Sequence, residues 1–146
     1  MALWGGRFST GPAESVAALS RSVDFDWRLV QYDIRSNIAH VNGLTRSGTI
    51  APADSATIIA ALRELSIEIA SGTFTYNDAD EDVHSAVERG LVAKLGPLGG
   101  AFRAGRSRND LVVSDFKLYL IDHIVEVGSQ VGELIRAFND LSGQYI

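Results

Sequence analysis

Residues 107–146 read SRNDLVVSDFKLYLIDHIVEVGSQVGELIRAFNDLSGQYI, and their pattern is the strongest indication of the fold. Ser107 and Asp110 have the Ser-x-x-acid spacing of a capping box, which predicts that a helix begins here. Beyond them, apolar residues recur by fours and threes, as in a helical-bundle seam, at Leu120, Ile124, Val127, Val131, Leu134, Phe138, Leu141 and Tyr145. A second stripe consists of Leu118, Ile121, Val125, Gly128, Gly132 and Ile135. Two stripes predict burial on more than one side, as in a multi-helix bundle.

This predicted helix is longer than a compact domain made from the chain. At 1.5 Å per residue it would extend about 60 Å. A globule of 146 residues would be only roughly 40 Å across. We therefore expect a small helical domain at 1–106, followed at 107–146 by the start of a central bundle domain. We further expect the chain to be the front part of a longer polypeptide, or one whose helix is completed by other chains.

Two helices are predicted in the first third of the chain. Trp4 and Phe8 are expected to anchor an extended arm. Pro12 fits the first turn of a short helix that ends near residue 20. Asp26 is a good N-cap for the next helix, whose apolar residues recur every three or four positions until Gly48.

Two more helices are predicted before the long one. Pro52 fits the start of a helix that ends at Gly72, and a brief extended piece is expected at 73–76. The next helix should end at Gly96. Its start is favoured by the acidic residues Asp78, Asp80, Glu81 and Asp82. The fold class is therefore all-α.

Composition excludes several classes of protein. Hydrophobic residues make up 46% and charged residues 21%, as in ordinary soluble globular domains. The net charge of −5 disfavours a nucleic-acid-binding protein, and the absence of cysteine excludes disulfides and thiolate sites. No signal peptide or membrane span is evident, and the usual phosphate-loop, dinucleotide and esterase motifs are missing. We expect a cytoplasmic protein with no membrane or nucleic-acid partner.

Three arginines surround the start of the long helix. Arg103, Arg106 and Arg108 lie within six residues, beside Gly105, where the backbone can approach a ligand. Free N–H groups at a helix N-terminus and bidentate guanidinium groups together favour carboxylate or phosphate. The alternative is a capped helix start beside a solvated basic loop, and composition alone does not decide between the two.

A histidine in the acidic region is a second candidate. Asp80, His84 and Glu88 stand four apart on one helical face, so the carboxylates could hold the imidazole in one tautomer. The alternative is an exposed histidine among surface ion pairs. A metal site needs three or four convergent ligands, which this spacing does not supply. His40 and His123 lie in apolar helical patterns and are expected to be structural.

Three motifs together resemble one family. WGGRF at 4–8, DEDVH at 80–84 and GRSRND at 105–110 occur in this order. They resemble the N-terminal part of argininosuccinate lyase and its delta-crystallin relatives, within the aspartase/fumarase superfamily. The resemblance covers essentially the whole chain. It implies a cytoplasmic homotetramer built on long helices, with no metal or organic cofactor. It also implies reversible cleavage of argininosuccinate to arginine and fumarate, the last step of arginine biosynthesis.

The resemblance implies substrate-binding roles for Ser22, Asp26, Asp82, His84, Arg108 and Asn109. Ser22 and Asn109 would hydrogen-bond the substrate, and Arg108 would help to bind a carboxylate. Asp82 and His84 would line the cleft, and Asp26 would address the arginine end. No catalytic residue is expected in this chain, because the family's Thr-His motif and its proton-abstracting serine lie further downstream. Each active site in the family also combines segments of three subunits.

The chain departs from the family pattern near the arginines. Leu111 stands where the family usually has Gln, and Arg103-Ala104 replaces His-Thr. These changes bear on the support of the anion site. One alternative, which Leu111 favours, is a non-catalytic, crystallin-like assembly module. Another is a superfamily lyase that acts on adenylosuccinate, fumarate or aspartate, against which the GRSRND string argues.

Overall fold

The computed structural model describes residues 13–145, and every regular element in this range is helical. The α-helices are α1 (Glu14–Ser20), α2 (Val23–Asp26), α3 (Val30–Arg46), α4 (Pro52–Ala70), α5 (Val83–Leu95) and α6 (Arg108–Gln144). Two 3₁₀ helices connect them, at Trp27–Leu29 and Gly96–Arg103. The all-α prediction is confirmed, and the piece expected at 73–76 forms no strand. The predictions for Trp4, Phe8 and Pro12 lie outside the described residues.

The predicted C-terminal ends of the helices agree with the structure, because local backbone chemistry sets them. After α3, Gly48 adopts a φ of 74°, and the N–H of Thr49 donates to the carbonyl of Leu44 at 2.9 Å. Gly72 has the same φ after α4, and Thr73 N–H donates to Glu68. Glycine tolerates this left-handed conformation, which lets the turn satisfy the last carbonyls of each helix.

The predicted capping role of Asp26 is wrong. Asp26 is itself helical, and its side chain makes no capping hydrogen bond to the 3₁₀ helix that follows. Its carboxylate instead accepts from the hydroxyl of Ser22 at 2.6 Å and from the N–H of Val83 at 3.0 Å. A tertiary contact with the start of α5 therefore replaces the local cap, because it satisfies an otherwise unpaired N–H of that helix.

The core lies between α3, α4 and α5 and is closed by the second 3₁₀ helix. Its apolar side chains recur at helical spacing on each element. The fully buried members are Val41, Ile58, Leu62, Leu65, Val83, Val87 and Leu91. Phe102 packs on this cluster from the 3₁₀ helix. The core therefore fixes the two segments that lead into α5 and α6.

The long helix α6 begins on this core and extends beyond it. Ser107 and Asp110 form the predicted capping box, with N–H donation from Asn109 to Ser107 and from Ser107 to Asp110, each at 3.2 Å. Leu111 and Asp115 are buried. Further along, large apolar side chains of both predicted stripes are exposed, including Ile124 at 67% and Phe138 at 63%. Within residues 13–145, no helix combines the length and apolarity needed to cross a membrane.

Candidate anion-binding site

The N-termini of α5 and α6 meet at an ion pair. Asp82 is the N-cap of α5, where its carboxylate accepts the N–H of Ser85 at 2.8 Å. Arg108, the first residue of α6, donates to both carboxylate oxygens of Asp82, with Nε 2.7 Å from Oδ2. Burial alone would raise the pKa of Asp82, but the hydrogen bonds from Arg108 and Ser85 outweigh it and lower this pKa. Asp82 is therefore held as a carboxylate.

A buried hydrogen-bonded chain lies behind this pair. Nδ1 of His84 is 2.6 Å from Oδ1 of Asp33, and Oδ2 of Asp33 accepts from the side-chain amide of Asn37 at 2.8 Å. Asp33 and Asn37 are fully buried, and His84 is 8% exposed. Burial alone would lower the pKa of His84, but the hydrogen bond and charge of Asp33 outweigh it and raise this pKa. The geometry therefore favours an imidazolium paired with a carboxylate.

Asp115 lies beside this chain and is fully buried. Its carboxylate oxygens have no hydrogen-bond partner among residues 13–145, and Oδ2 lies 3.8 Å from Nδ1 of His84. Burial raises the pKa of Asp115 to about 7, and the neighbouring carboxylate of Asp33 adds to the rise. At neutral pH the carboxyl group of Asp115 is therefore only partly ionised.

These three residues are the candidate metal ligands within 13–145, since their donor atoms lie within 4.8 Å of one another. The distance of 2.6 Å between His84 Nδ1 and Asp33 Oδ1 fits a hydrogen bond. Two ligand atoms on one tetrahedral zinc ion would stand roughly 3.3 Å apart, given bonds of about 2.0 Å. The arrangement as it stands therefore fits a hydrogen-bonded pair beside a second carboxyl group better than a set of zinc ligands.

A small cavity lies beside His84 and the N-terminus of α6. It has a volume of about 60 Å³, and among its lining residues are His84, Arg103, Arg106, Arg108 and Leu111. Arg106 is half-buried and donates to the side-chain oxygen of Asn37. Each guanidinium group has five N–H donors, so an arginine with one protein partner can still bind an anion. The cavity combines three arginines with a helix N-terminus, and Glu88, which pairs with Arg103, also lines it. The guanidinium donors left free by these pairs, together with the helix N-terminus, suit a carboxylate.

Comparison with known proteins shows the family of this chain. A family model described as Lyase matches residues 6–146. The chain belongs to this lyase family. The Asp82–Arg108 ion pair joins the DEDVH motif to the GRSRND motif, and both motifs lie within the described residues.

Curated relatives of this lyase chain are named argininosuccinate lyase. The protein from Acidothermus cellulolyticus is 58% identical over 84% of the chain and 25% of its own length. The Frankia casuarinae protein is 50% identical over 100% of the chain and 32% of its own length. The Streptomyces coelicolor protein is 53% identical over 96% of the chain and 30% of its own length. The chain thus spans about a quarter to a third of the length of these relatives.

The predicted site residues of the lyase chain fall into three groups. Asp82, His84 and Arg108 come together at the cavity and the ion pair beside it. Ser22 and Asp26 bond to each other and to the start of α5, and burial raises the pKa of Asp26 above its usual value. Asn109 lies in the first turn of α6 and is exposed.

The predicted partners of His84 are wrong, as is the alternative of an exposed histidine. Asp80 pairs with Arg89 at 2.8 Å, and Glu88 pairs with Arg103 at 2.5 Å. His84 faces the interior and bonds to Asp33 of α3 instead. Asp80 lies before the first turn of α5, so helical spacing does not bring it to His84. Arginines pair with both carboxylates, because guanidinium groups bind carboxylates readily.

The interior part of the candidate site was not predicted from the sequence. Asp33, Asn37 and Asp115 are buried polar residues, and Arg106 links to them from the loop before α6. A signal was present, since Asp33 and Asn37 stand beside the apolar positions of α3, and Asp115 lies one turn beyond Leu111. Their partners are on other helices, which spacing along one helix cannot reveal.

Proposed function

We propose that this chain is the N-terminal, substrate-binding part of an argininosuccinate lyase. The enzyme would cleave argininosuccinate to arginine and fumarate, in the last step of arginine biosynthesis. The observation that carries the proposal is the 50% identity, over 100% of the chain, to a relative of that name. The convergence of arginines with the N-terminus of α6 supports it, because argininosuccinate carries a dicarboxylate half.

The reaction explains the use of such a site. A base removes the proton beside a carboxylate, and charge accumulates on that group as an aci-carboxylate before the guanidinium group leaves. Donors that are fixed before the reaction stabilise this charge more strongly in the transition state than in the ground state. Arg108 and Asn109 would hold the carboxylate. His84 would add positive charge on the interior side of the site. Asp26 and Ser22 would face the arginine end of the substrate.

We propose that residues 107–146 begin a central bundle shared by four subunits. Exposed apolar side chains support this, since Val131, Leu134 and Ile135 of α6 are each about half exposed. Large apolar patches of this kind mark surfaces that another helix covers. We also propose that the protein is cytoplasmic. We propose that the proton-abstracting group lies outside this chain and that no metal or organic cofactor is required.

The substrate is tested with the complete enzyme that contains this chain. Fumarate release from argininosuccinate is compared with turnover of adenylosuccinate, fumarate and aspartate. Preference for argininosuccinate supports the proposal, whereas preference for another substrate contradicts it. Saturable binding of argininosuccinate by calorimetry, without turnover, would instead support a non-catalytic assembly module. The 146-residue chain alone should release no fumarate.

A further inference from the structure

Three polar residues form a stripe along one face of α3. Asp33, Asn37 and His40 stand at positions i, i+4 and i+7, which align on one side of a helix. We call them the α3 polar stripe. Two of its members are fully buried. A buried polar side chain is costly unless it is hydrogen-bonded, so the partners of this stripe define its role.

Each member of the stripe holds a different part of the candidate site. Asp33 accepts from Nδ1 of His84 at 2.6 Å. Asn37 donates to Asp33 at 2.8 Å and accepts from Arg106. Nε2 of His40 lies 2.9 Å from the carbonyl oxygen of Ala104. Since a carbonyl only accepts, this distance places a proton on Nε2 of His40.

These contacts fix the short segment that leads into α6. Ala104 and Arg106 lie between the second 3₁₀ helix and Ser107, the N-cap of α6. His40 holds the backbone at one end of this segment, and Asn37 holds a side chain two residues later. The direction of the first turn of α6 depends on where this segment lies. At the other end of the stripe, Asp33 orients the side chain of His84 through its hydrogen bond to Nδ1.

We infer that the α3 polar stripe positions the anion-binding loop, so that the first turn of α6 presents Arg108 and Asn109 to the dicarboxylate half of the substrate. Its members are positioning residues that act through Ala104, Arg106 and His84. The inference rests on the proposed function. It adds that binding of the succinyl half depends on α3, because the α3 polar stripe contacts both the loop before α6 and His84 of α5.

The stripe has a specific consequence for affinity. Loss of the stripe should weaken binding of fumarate, which carries the two carboxylates, and should spare arginine. A general loss of structure would weaken both products. The inhibition constants of fumarate and arginine therefore separate positioning of the loop from structural support. One lost hydrogen bond to a charged group corresponds to about tenfold in affinity.

The experiment compares His40→Leu, His40→Gln, Asn37→Leu and the control Asn42→Leu in the complete enzyme. Asn42 lies on the same helix and is exposed. His40→Leu and Asn37→Leu should raise the fumarate inhibition constant about tenfold and change that of arginine less than about twofold. His40→Gln should restore fumarate affinity, because its amide can donate to Ala104. Asn42→Leu should leave both constants unchanged.

The two variants His40→Leu and His40→Gln decide the outcome even if Asn37→Leu does not fold. Equal loss of fumarate and arginine affinity in His40→Leu, or no loss of either, would overturn the inference. So would failure of His40→Gln to restore fumarate affinity. A wild-type enzyme that binds fumarate in calorimetry but does not cleave argininosuccinate contradicts the proposed function instead. In that case, calorimetric fumarate affinities of the same variants still test the stripe, and a wild type that binds no dicarboxylate overturns both.

Discussion

Arg108 donates to both carboxylate oxygens of Asp82, and this pair joins the first residue of α6 to the N-cap of α5. Two helix N-termini, each with a partial positive charge, are thereby held close together around one carboxylate. The side chain of Asp82 is only 13% exposed, so water screens the pair less than it screens a surface ion pair. The site thus depends on a contact between two motifs far apart in sequence.

Asp82 should contribute to stability through both of its contacts. We expect Asp82→Ala to lower the free energy of unfolding by about 2 kcal/mol, from a lost N-cap and an unpaired guanidinium group. Asp82→Asn should lose less, because asparagine also caps helices well. Urea unfolding of the chain measures both. Asp78→Ala is the control, since the side chain of Asp78 is fully exposed and its loss should change little. Equal losses in the free energy of unfolding for Asp82→Ala and Asp78→Ala would show that the contacts of Asp82 add nothing to stability.

The second 3₁₀ helix should tolerate no side chain at Gly99. A Cβ atom there would overlap the carbonyl of Leu91 and lie 2.7 Å from the nitrogen of Val92. Backbone atoms cannot move aside cheaply, so Gly99→Ala should cost about 1–3 kcal/mol. The neighbouring Gly100 has open space around it, and Gly100→Ala should be neutral or slightly stabilising. Thermal unfolding of the two variants compares them, and similar melting temperatures would argue against the packing of this segment on α5.

Asp115 should make the fold less stable as the pH rises. The unfolded chain loses this proton near pH 3.8, whereas the folded chain keeps it to about pH 7. Between these values the folded state binds more protons, so the free energy of unfolding falls with increasing pH. Asp33 of α3, His84 of α5 and Arg106 of the loop face this carboxyl group.

Replacement of Asp115 by asparagine tests this pH dependence. Asp115→Asn does not titrate, and its stability should exceed that of the wild type by an amount that grows from about pH 4 to about pH 7. Urea unfolding at several pH values measures the difference. Parallel curves for wild type and variant across this range would contradict the raised pKa of Asp115.

His84 should titrate above the ordinary histidine value of 6.5, because Asp33 stabilises its charged form. Its contribution to stability is then fully present below pH 6.5 and is lost as the pH rises through the folded-state pKa. Asp33→Asn should lower the pKa of His84 in an NMR titration. Glu88→Gln is the control, since Glu88 pairs with Arg103. An unchanged pKa of His84 in Asp33→Asn would exclude Asp33 as its partner.

Helix positions could be predicted from the sequence, because their signals are local. The capping box at Ser107 and Asp110 and the glycines after α3 and α4 act on neighbouring backbone groups. Asp26 gave a wrong prediction for a physical reason. Its carboxylate satisfies a longer-range N–H, that of Val83, and such a choice depends on packing rather than on neighbouring residues.

The site was predictable only in part. The motifs pointed to Asp82, His84 and Arg108, which the structure brings together. The pairing of His84 with Asp33 was missed, because it joins residues 51 positions apart on different helices. Buried polar residues on an otherwise apolar face are a usable signal, since they need partners. They do not reveal which partners they have.

We propose that Arg108 and Asn109 bind the carboxylate on which charge develops. The most direct test is kcat/KM for argininosuccinate cleavage by Asn109→Ala and Arg108→Ala in the complete enzyme, with unfolding measured in parallel. We expect a fall of roughly a hundredfold or more in each variant. Asn109→Ala should unfold like the wild type, because Asn109 is exposed. Wild-type values of kcat/KM in both variants would contradict these roles of Arg108 and Asn109.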